Sequence, residues 1–161
     1  MHRVGQFVAH VRARVDPQET ALVRRLLPDS GVVLFESMPV ADRRHALDVA
    51  GRLIEMGHDD RDLLGAALLH DAGKGGRMRL WHRVAGVLLE AAAPSALRRL
   101  AKSDTTSWRH PFHLYLHHAP MSAALASEAG CDHRVGAFIR GDVADADAQL
   151  LRALTSADDA S

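Results

Sequence analysis

The sequence predicts an all-helical fold, a single compact domain of about eight helices. Its 161 residues are the length of one domain, with enough buried surface for one core. Hydrophobic residues make up 47% of the chain and aromatic residues only 4%, so Leu, Ala and Val must build that core. Apolar residues recur at helical spacing along the chain, and no alternating pattern of useful length predicts a strand.

The first helices are predicted from spacing and capping. Residues 2–14 place four apolar side chains at helical spacing, which predicts a short helix. The tetrapeptide at 16–19, Asp-Pro-Gln-Glu, predicts the start of a second helix that ends before Pro28. Residues 31–38 are too few for periodicity to separate strand from helix. Helical turns are favoured there because the neighbouring segments are helical.

Two longer central helices follow. A helix is predicted from about residue 41 to 56, with a continuous apolar stripe. Either Asp59 or Asp60 then caps a second helix that runs to His70 and Asp71. Three glycines close behind the pair predict that the helix ends there.

The C-terminal half is predicted to continue in the same way, with a loop at 103–111. Helices are expected at 78–91, 95–101, 112–129, 133–140 and 145–159. In the first of these, the side chains expected to face the core are Leu80, Val84, Val87 and Leu88.

Composition narrows the class of function. Twenty basic and twenty acidic residues cancel, so no global field attracts nucleic acid or an anionic membrane. The lone Cys131 cannot form an internal disulfide, which fits a reducing compartment. The N-terminus has no apolar run typical of a signal peptide, and no stretch approaches the ~18 residues of a membrane span. We therefore expect a soluble, cytoplasmic protein.

The pair His70-Asp71 is the sharpest chemical feature. Histidine is abundant, with eleven in the chain, and neutral imidazole is the commonest metal ligand in proteins. Adjacent side chains point about 100° apart on a continuous helix, so both reach one ion only at a helix end. The glycines after the pair predict such an end, and the preceding run AALL provides an apolar wall.

The surrounding sequence resembles the HD-domain phosphohydrolases. The segment LLGAALLHDAGKG resembles the family signature, and DRRHALDVAGRL is similar to the helix with the family's first histidine. The segment HHAPMSAALASEAG is similar to a later helix that opens with histidine, and LLRALTSADD to the one with the last aspartate. The resemblance covers about residues 37–161, and residues 1–36 lie outside it.

The resemblance implies that one divalent ion, Mn, Fe, Ni, Co or Zn, is held between the central helices. The implied ligands are His45, His70, Asp71 and Asp158. Asp159 competes for the last position, but adjacent helical residues cannot both point inward, and Asp158 matches the family's alanine-aspartate step. Such an ion would lower the pKa of a bound water from ~16 towards ~7 for attack on phosphorus.

Beside this ion, the catalytic residues implied are Asp71, Lys74 and His118. Lys74 would reach a substrate phosphate, with a solvated lysine as the alternative. His118 would bind a second metal or donate a proton to the leaving oxygen, with His113 and His117 as alternatives to it.

The chain departs from the family pattern at AFIRGD. Family members with two metals usually carry a histidine pair where this chain has Gly141-Asp142. We therefore expect one metal, with Asp142 and His118 as the candidates for a second metal or a substrate contact. The motif of cyclic-di-GMP phosphodiesterases is also absent.

Two tracts, residues 77–83 and 108–112, are candidates for holding the substrate. Arginine suits phosphate and an aromatic ring suits a base face. The tracts also contain Trp81 and Trp108, for which core or interface packing is the alternative. The substrate-binding candidates are Arg77, Arg79, His82 and Arg109. Asp48 is expected either to orient the His45 imidazole or to pair with Arg44 or Arg52.

These observations predict a metal-dependent phosphohydrolase that acts on a nucleotide or another small phosphate ester. The alternative is a non-catalytic or regulatory HD domain that binds a metal or ligand. A metal-bound oxygenase is less favoured because the histidine pair is missing. The expected partner is a small phosphorylated molecule rather than nucleic acid or a membrane, and the protein is expected to be a monomer or homodimer.

Overall fold

The computed structural model describes residues 16–75 and 80–161. Within these ranges the chain forms nine α-helices and two 3₁₀ turns, with no strand. The all-helical prediction is therefore confirmed for the described residues, with one helix more than the approximate count. The helix predicted at 2–14 lies outside them. No described helix is long and apolar enough to cross a bilayer.

The helices are numbered here in chain order. They are α1 (Pro17–Leu26), α2 (Asp29–Ser37), α3 (Val40–Glu55), α4 (Arg61–Leu69), α5 (Leu80–Ala92), α6 (Pro94–Leu100), α7 (His110–Glu128), α8 (His133–Arg140) and α9 (Ala148–Asp159). The 3₁₀ turns are Ala72–Lys74, after α4, and Asp145–Asp147, before α9.

The capping residues behave as the sequence predicts. The Asp16 side chain accepts from the Gln18 amide, and the Glu19 side chain reaches back to the Asp16 amide, which completes a capping box on α1. Of the two aspartates considered for α4, it is Asp60 that caps the helix, accepting from the amides of its second and third residues. The ambiguous segment at 31–38 is helical, within α2.

Helix α4 lies at the centre of the domain. Every residue from 63 to 69 is buried, and the helix contacts α1, α2, α3, α7, α8 and α9. Because this helix is apolar on all sides, it can exist only inside the bundle. Its C-terminal end, where His70 and Asp71 follow, is therefore surrounded by other helices.

The prediction for the buried face of α5 is wrong. Val84, Val87 and Leu88 are 52%, 56% and 64% exposed, and the side chain of Leu80 lies outside the described part. The helix instead approaches α7 through Gly86, where a β-carbon would lie 2.7 Å from the Tyr115 ring. Helical spacing correctly groups the apolar residues on one face, but it does not specify that another element covers that face.

Candidate metal centre

The end of α4 orients the His70 ring. His70 Nδ1 lies 2.9 Å from the carbonyl oxygen of Ala67, and since a carbonyl only accepts, Nδ1 carries the proton. The other ring nitrogen, Nε2, therefore faces the interior with a lone pair when the ring is neutral. Asp71, the next residue, is only 1% exposed.

Two distant helices complete the cluster. His45, on α3, donates from Nε2 to Asp158 Oδ1, on α9, at 2.8 Å. The same Asp158 oxygen lies 3.4 Å from His70 Nε2, and the two imidazole centroids are 5.3 Å apart. One ligand atom each from His45, His70 and Asp158 lies within 4.8 Å of the others. These three side chains are close enough together that they could hold one metal ion.

Of the last two aspartates, Asp158 is the one whose side chain reaches the cluster. Asp158 points into the cluster, whereas its neighbour Asp159 is exposed. The hydrogen bond from His45 and then the closeness of the His70 ring hold the pKa of the Asp158 carboxyl far below its usual value. Burial by itself would lower the pKa of His70, but Asp158 and Asp71 raise it above the usual value. The charges of the triad are thus strongly coupled.

The donor atoms fit a divalent transition ion. His70 Nε2 is buried and has no hydrogen bond, and it lies 3.4 Å from one oxygen each of Asp71 and Asp158. That separation is longer than a good hydrogen bond. Buried polar nitrogens rarely lack a partner, and a ring nitrogen facing two carboxylates is a position that a metal ion can occupy in place of a proton. Imidazole nitrogen with carboxylate oxygen is a set that Mn, Fe, Co, Ni and Zn all accept.

Asp71 lies beside the triad and is paired with Lys74. The Lys74 Nζ is 2.6 Å from both Asp71 oxygens, and its hydrogen bond is directed at Oδ2. Burial raises the pKa of Asp71, but the positive charges at His70 and Lys74 outweigh this and hold it below the usual value. Asp71 is therefore an ionised carboxylate within 3.4 Å of a triad nitrogen.

His118 approaches the same region from α7. Its Nδ1 donates to the Tyr115 carbonyl at 2.8 Å, the same arrangement as in His70. Burial and then the Lys74 charge hold the pKa of His118 below its usual value, so the ring is neutral near pH 7. Because His118 interacts electrostatically with Lys74, Asp71 and His70, it belongs to the surroundings of the cluster.

The turn Ala72–Lys74 is held against α7 by a contact that the sequence does not reveal. The Gly73 amide donates to the Ser122 hydroxyl at 2.8 Å, and both groups are buried. A β-carbon on Gly73 would lie 2.7 Å from the carbonyl oxygen of His118. Gly73 and Ser122 are 49 positions apart, and no local pattern in the sequence links them.

Asp142 is not part of the triad. It lies just after α8, is exposed, and pairs with Arg140 at 3.0 Å. The cluster of His45, His70 and Asp158 is the one group of three metal-ligand side chains found among the described residues. Asp142 as a ligand for a second metal thus stays a prediction without a geometric partner in the described part.

The substrate-binding candidates are engaged in packing or lie outside the described residues. His82 is buried, and its ring lies 3.7 Å from that of Trp81. Arg109 donates from Nε to the carbonyl of Leu100 at 2.6 Å and also to Arg99, and so caps the end of α6. Arg77 and Arg79 fall within 76–79, outside the described ranges.

Two smaller questions from the sequence are also answered. Trp81 and Trp108 are 51% and 68% exposed, so the core alternative for them is wrong. Asp48 pairs with Arg44 at 2.9 Å, one of the roles left open for it, and Arg44 also pairs with Glu19.

Comparisons of the chain with models of protein families, with curated proteins and with solved structures find no significant match.

Proposed function

We propose that the protein is a metal-dependent phosphohydrolase of the HD type, which cleaves a nucleotide or another small phosphate ester. The observation that carries the proposal is the convergence of His45, His70 and Asp158 from three separate helical segments. Beside this triad lie a buried carboxylate, Asp71, and a partly buried ammonium, Lys74. A metal site next to a cation is an arrangement suited to phosphoryl transfer, which depends mainly on positioning and charge neutralisation.

The triad would hold the ion, with Asp71 as a fourth ligand. When bound, the ion supplies a water of lowered pKa and a positive charge for a phosphoryl oxygen. For His45 Nε2 to act as a ligand, the ring would carry its proton on Nδ1 instead of on the nitrogen that contacts Asp158. The Nδ1 hydrogen bond to Ala67 keeps His70 Nε2 directed inward.

Lys74 and His118 would act on the substrate. The Lys74 ammonium, 2.6 Å from Asp71, would turn to a phosphate oxygen once the Asp71 charge is satisfied by the ion. His118 is neutral near pH 7 with its Nδ1 proton held by a backbone carbonyl. Its Nε2 is therefore suited to accept a proton or hydrogen bond, in contrast to the proton-donor role first expected for it.

The proposal is tested with the purified full chain loaded with Mn²⁺, Co²⁺ or Ni²⁺. The substrates are nucleoside monophosphates and triphosphates, cyclic dinucleotides and p-nitrophenyl phosphate, with phosphate release or product formation as the readout. Asp158→Asn should abolish turnover, and the neighbouring Asp159→Asn is the matched control that should retain it. Loss of an outer partner of a metal ligand costs about 10–100-fold in metal affinity, so loss of the ligand itself should cost at least as much.

Two results would overturn the proposal. One is turnover that persists in both Asp71→Ala and Asp158→Asn. The other is an absence of turnover on the whole panel by protein shown to contain the metal by mass spectrometry. The second result would favour the alternative of a regulatory metal-binding domain.

A further inference from the structure

A second group of histidines lies on α7, on a different side from His118. His110, His113 and His117 occur at intervals of three and four residues, which places them along one face of the helix. Their rings form a row, with centroids 5.8 Å apart between His110 and His113 and 4.4 Å apart between His113 and His117. His118 follows His117 directly and so points about 100° away from it.

We propose that His113 and His117 form a second metal site, a surface chelate for a first-row divalent cation such as Zn²⁺, Ni²⁺ or Cu²⁺. Imidazoles one helical turn apart can offer one nitrogen each to a single ion at about 2.0–2.1 Å. The 4.4 Å separation of their ring centroids requires only a rotation of the side chains and no movement of the helix. Borderline cations prefer nitrogen ligands, and among them affinity rises towards Cu²⁺.

The surroundings prepare the pair for metal. Burial and the two neighbouring imidazoles hold the pKa of His113 below its usual value, so this ring is in the neutral form that binds metal. His117 is exposed, and His113 is half-buried. His110 is buried, and its Nδ1 donates to the Lys102 carbonyl at 3.3 Å. The ring held in this way stacks on that of His113.

Two protein ligands leave coordination positions open to water or an outside ligand. Structural zinc sites use four protein ligands, so this site should bind an exchangeable ion rather than a permanent one. The site does not depend on the proposed phosphohydrolase activity.

The experiment measures Zn²⁺ binding by equilibrium dialysis of the full, untagged chain in an Asp158→Asn background, which removes the candidate centre. His113→Gln and His117→Gln are each expected to lower the affinity of the remaining site on the order of a hundredfold, the gain that a chelate has over a single ligand. The double variant should bind Zn²⁺ no more weakly than either single variant, because one substitution alone already destroys the two-ligand chelate. His133→Gln is the matched control, since its side chain is 94% exposed and lies on another helix.

Unchanged Zn²⁺ affinity in either His113→Gln or His117→Gln would overturn the proposal, as would an equal loss in His133→Gln. Far-UV circular dichroism checks that each variant is folded. The difference between the wild type and Asp158→Asn reports the candidate centre separately, so either site can fail without the other.

Discussion

Gly73 allows the turn that carries Lys74 to lie directly against α7. In Gly73→Ala, the new β-carbon would lie 2.7 Å from the His118 oxygen and 2.8 Å from both Met121 Cβ and the Ser122 nitrogen. Two of these atoms belong to the backbone of a helix, so they cannot turn aside as a flexible side chain would. The turn itself must therefore move away from α7 by several tenths of an ångström.

The cost has two sources. Overpacking a well-filled interior costs about 1–3 kcal/mol. The movement also weakens the 2.8 Å hydrogen bond from the Gly73 amide to Ser122, and an unsatisfied buried donor costs about 1–3 kcal/mol. Because one displacement causes both effects, they overlap, and we expect a destabilisation of about 2–4 kcal/mol.

Urea denaturation followed by circular dichroism measures this loss as a lower midpoint at an unchanged slope. Gly51→Ala is the matched control, because nothing lies within 4 Å of its added β-carbon in α3. Alanine is a better helix former than glycine, so the control should be stabilised by about 0.5–1 kcal/mol. Metal affinity should fall in Gly73→Ala and not in the control, because the displaced turn connects Asp71 and Lys74. A Gly73→Ala protein as stable as the wild type, with the same metal affinity, would refute the reasoning.

Three further predictions concern other ionised or hydrogen-bonded groups. Burial and the hydrogen bond to Glu90 raise the pKa of Tyr115 to about 12, and because it is the only tyrosine, absorbance at 295 nm should report that value directly and a lower one in Glu90→Gln. The stability of the wild type should fall above pH 10, where the tyrosine of the unfolded chain ionises first. Arg134→Met should destabilise the protein by about 1 kcal/mol at pH 7. Although burial raises the pKa of Asp60, the Leu63 amide and Arg134 lower it below the usual value. The difference in urea midpoint between wild type and variant should therefore shrink as the pH falls below about 4. Lys74→Met should lower the free energy of unfolding by about 3 kcal/mol without metal, because it leaves the buried Asp71 carboxylate unpaired. Added Mn²⁺ should restore part of the lost melting temperature. An unchanged melting temperature without metal would contradict the role of the ion pair.

The helices could be predicted from sequence because their signals are local, and the triad because its segments resemble those of a known family. Capping aspartates and apolar stripes depend on residues within a few positions of each other, and the motif around His70 specifies a buried helix that ends at a ligand pair. His45 and Asp158 were predicted through the resemblance of their segments to the HD-domain phosphohydrolases, and the structure brings both to His70. Helical geometry indicated that only one of Asp158 and Asp159 points inward, and the match to the alanine-aspartate step of the family pattern favoured Asp158.

The sequence is less informative where the outcome depends on a distant element. The apolar stripe of α5 is real, but whether it is covered depends on the position of other helices. Arg109 is directed at carbonyls of α6 by the path of a loop that has no periodicity. The bond from Gly73 to Ser122 joins residues that have no common pattern in the sequence.

The pairing of Asp71 with Lys74 shows how the buried carboxylate beside His70 is neutralised. A carboxylate with a fully buried side chain requires a positive partner, and Lys74 supplies it at 2.6 Å, three residues along the chain. Asp71 is therefore an ion-pair member beside a triad made of His45, His70 and Asp158. In the proposed reaction Asp71 would be neutralised as a ligand of the bound ion, and the Lys74 charge would then be free for the substrate phosphate. The same residue would then stabilise the buried carboxylate before metal binds and the phosphate afterwards, which ties the stability of this turn to the chemistry that we propose for it.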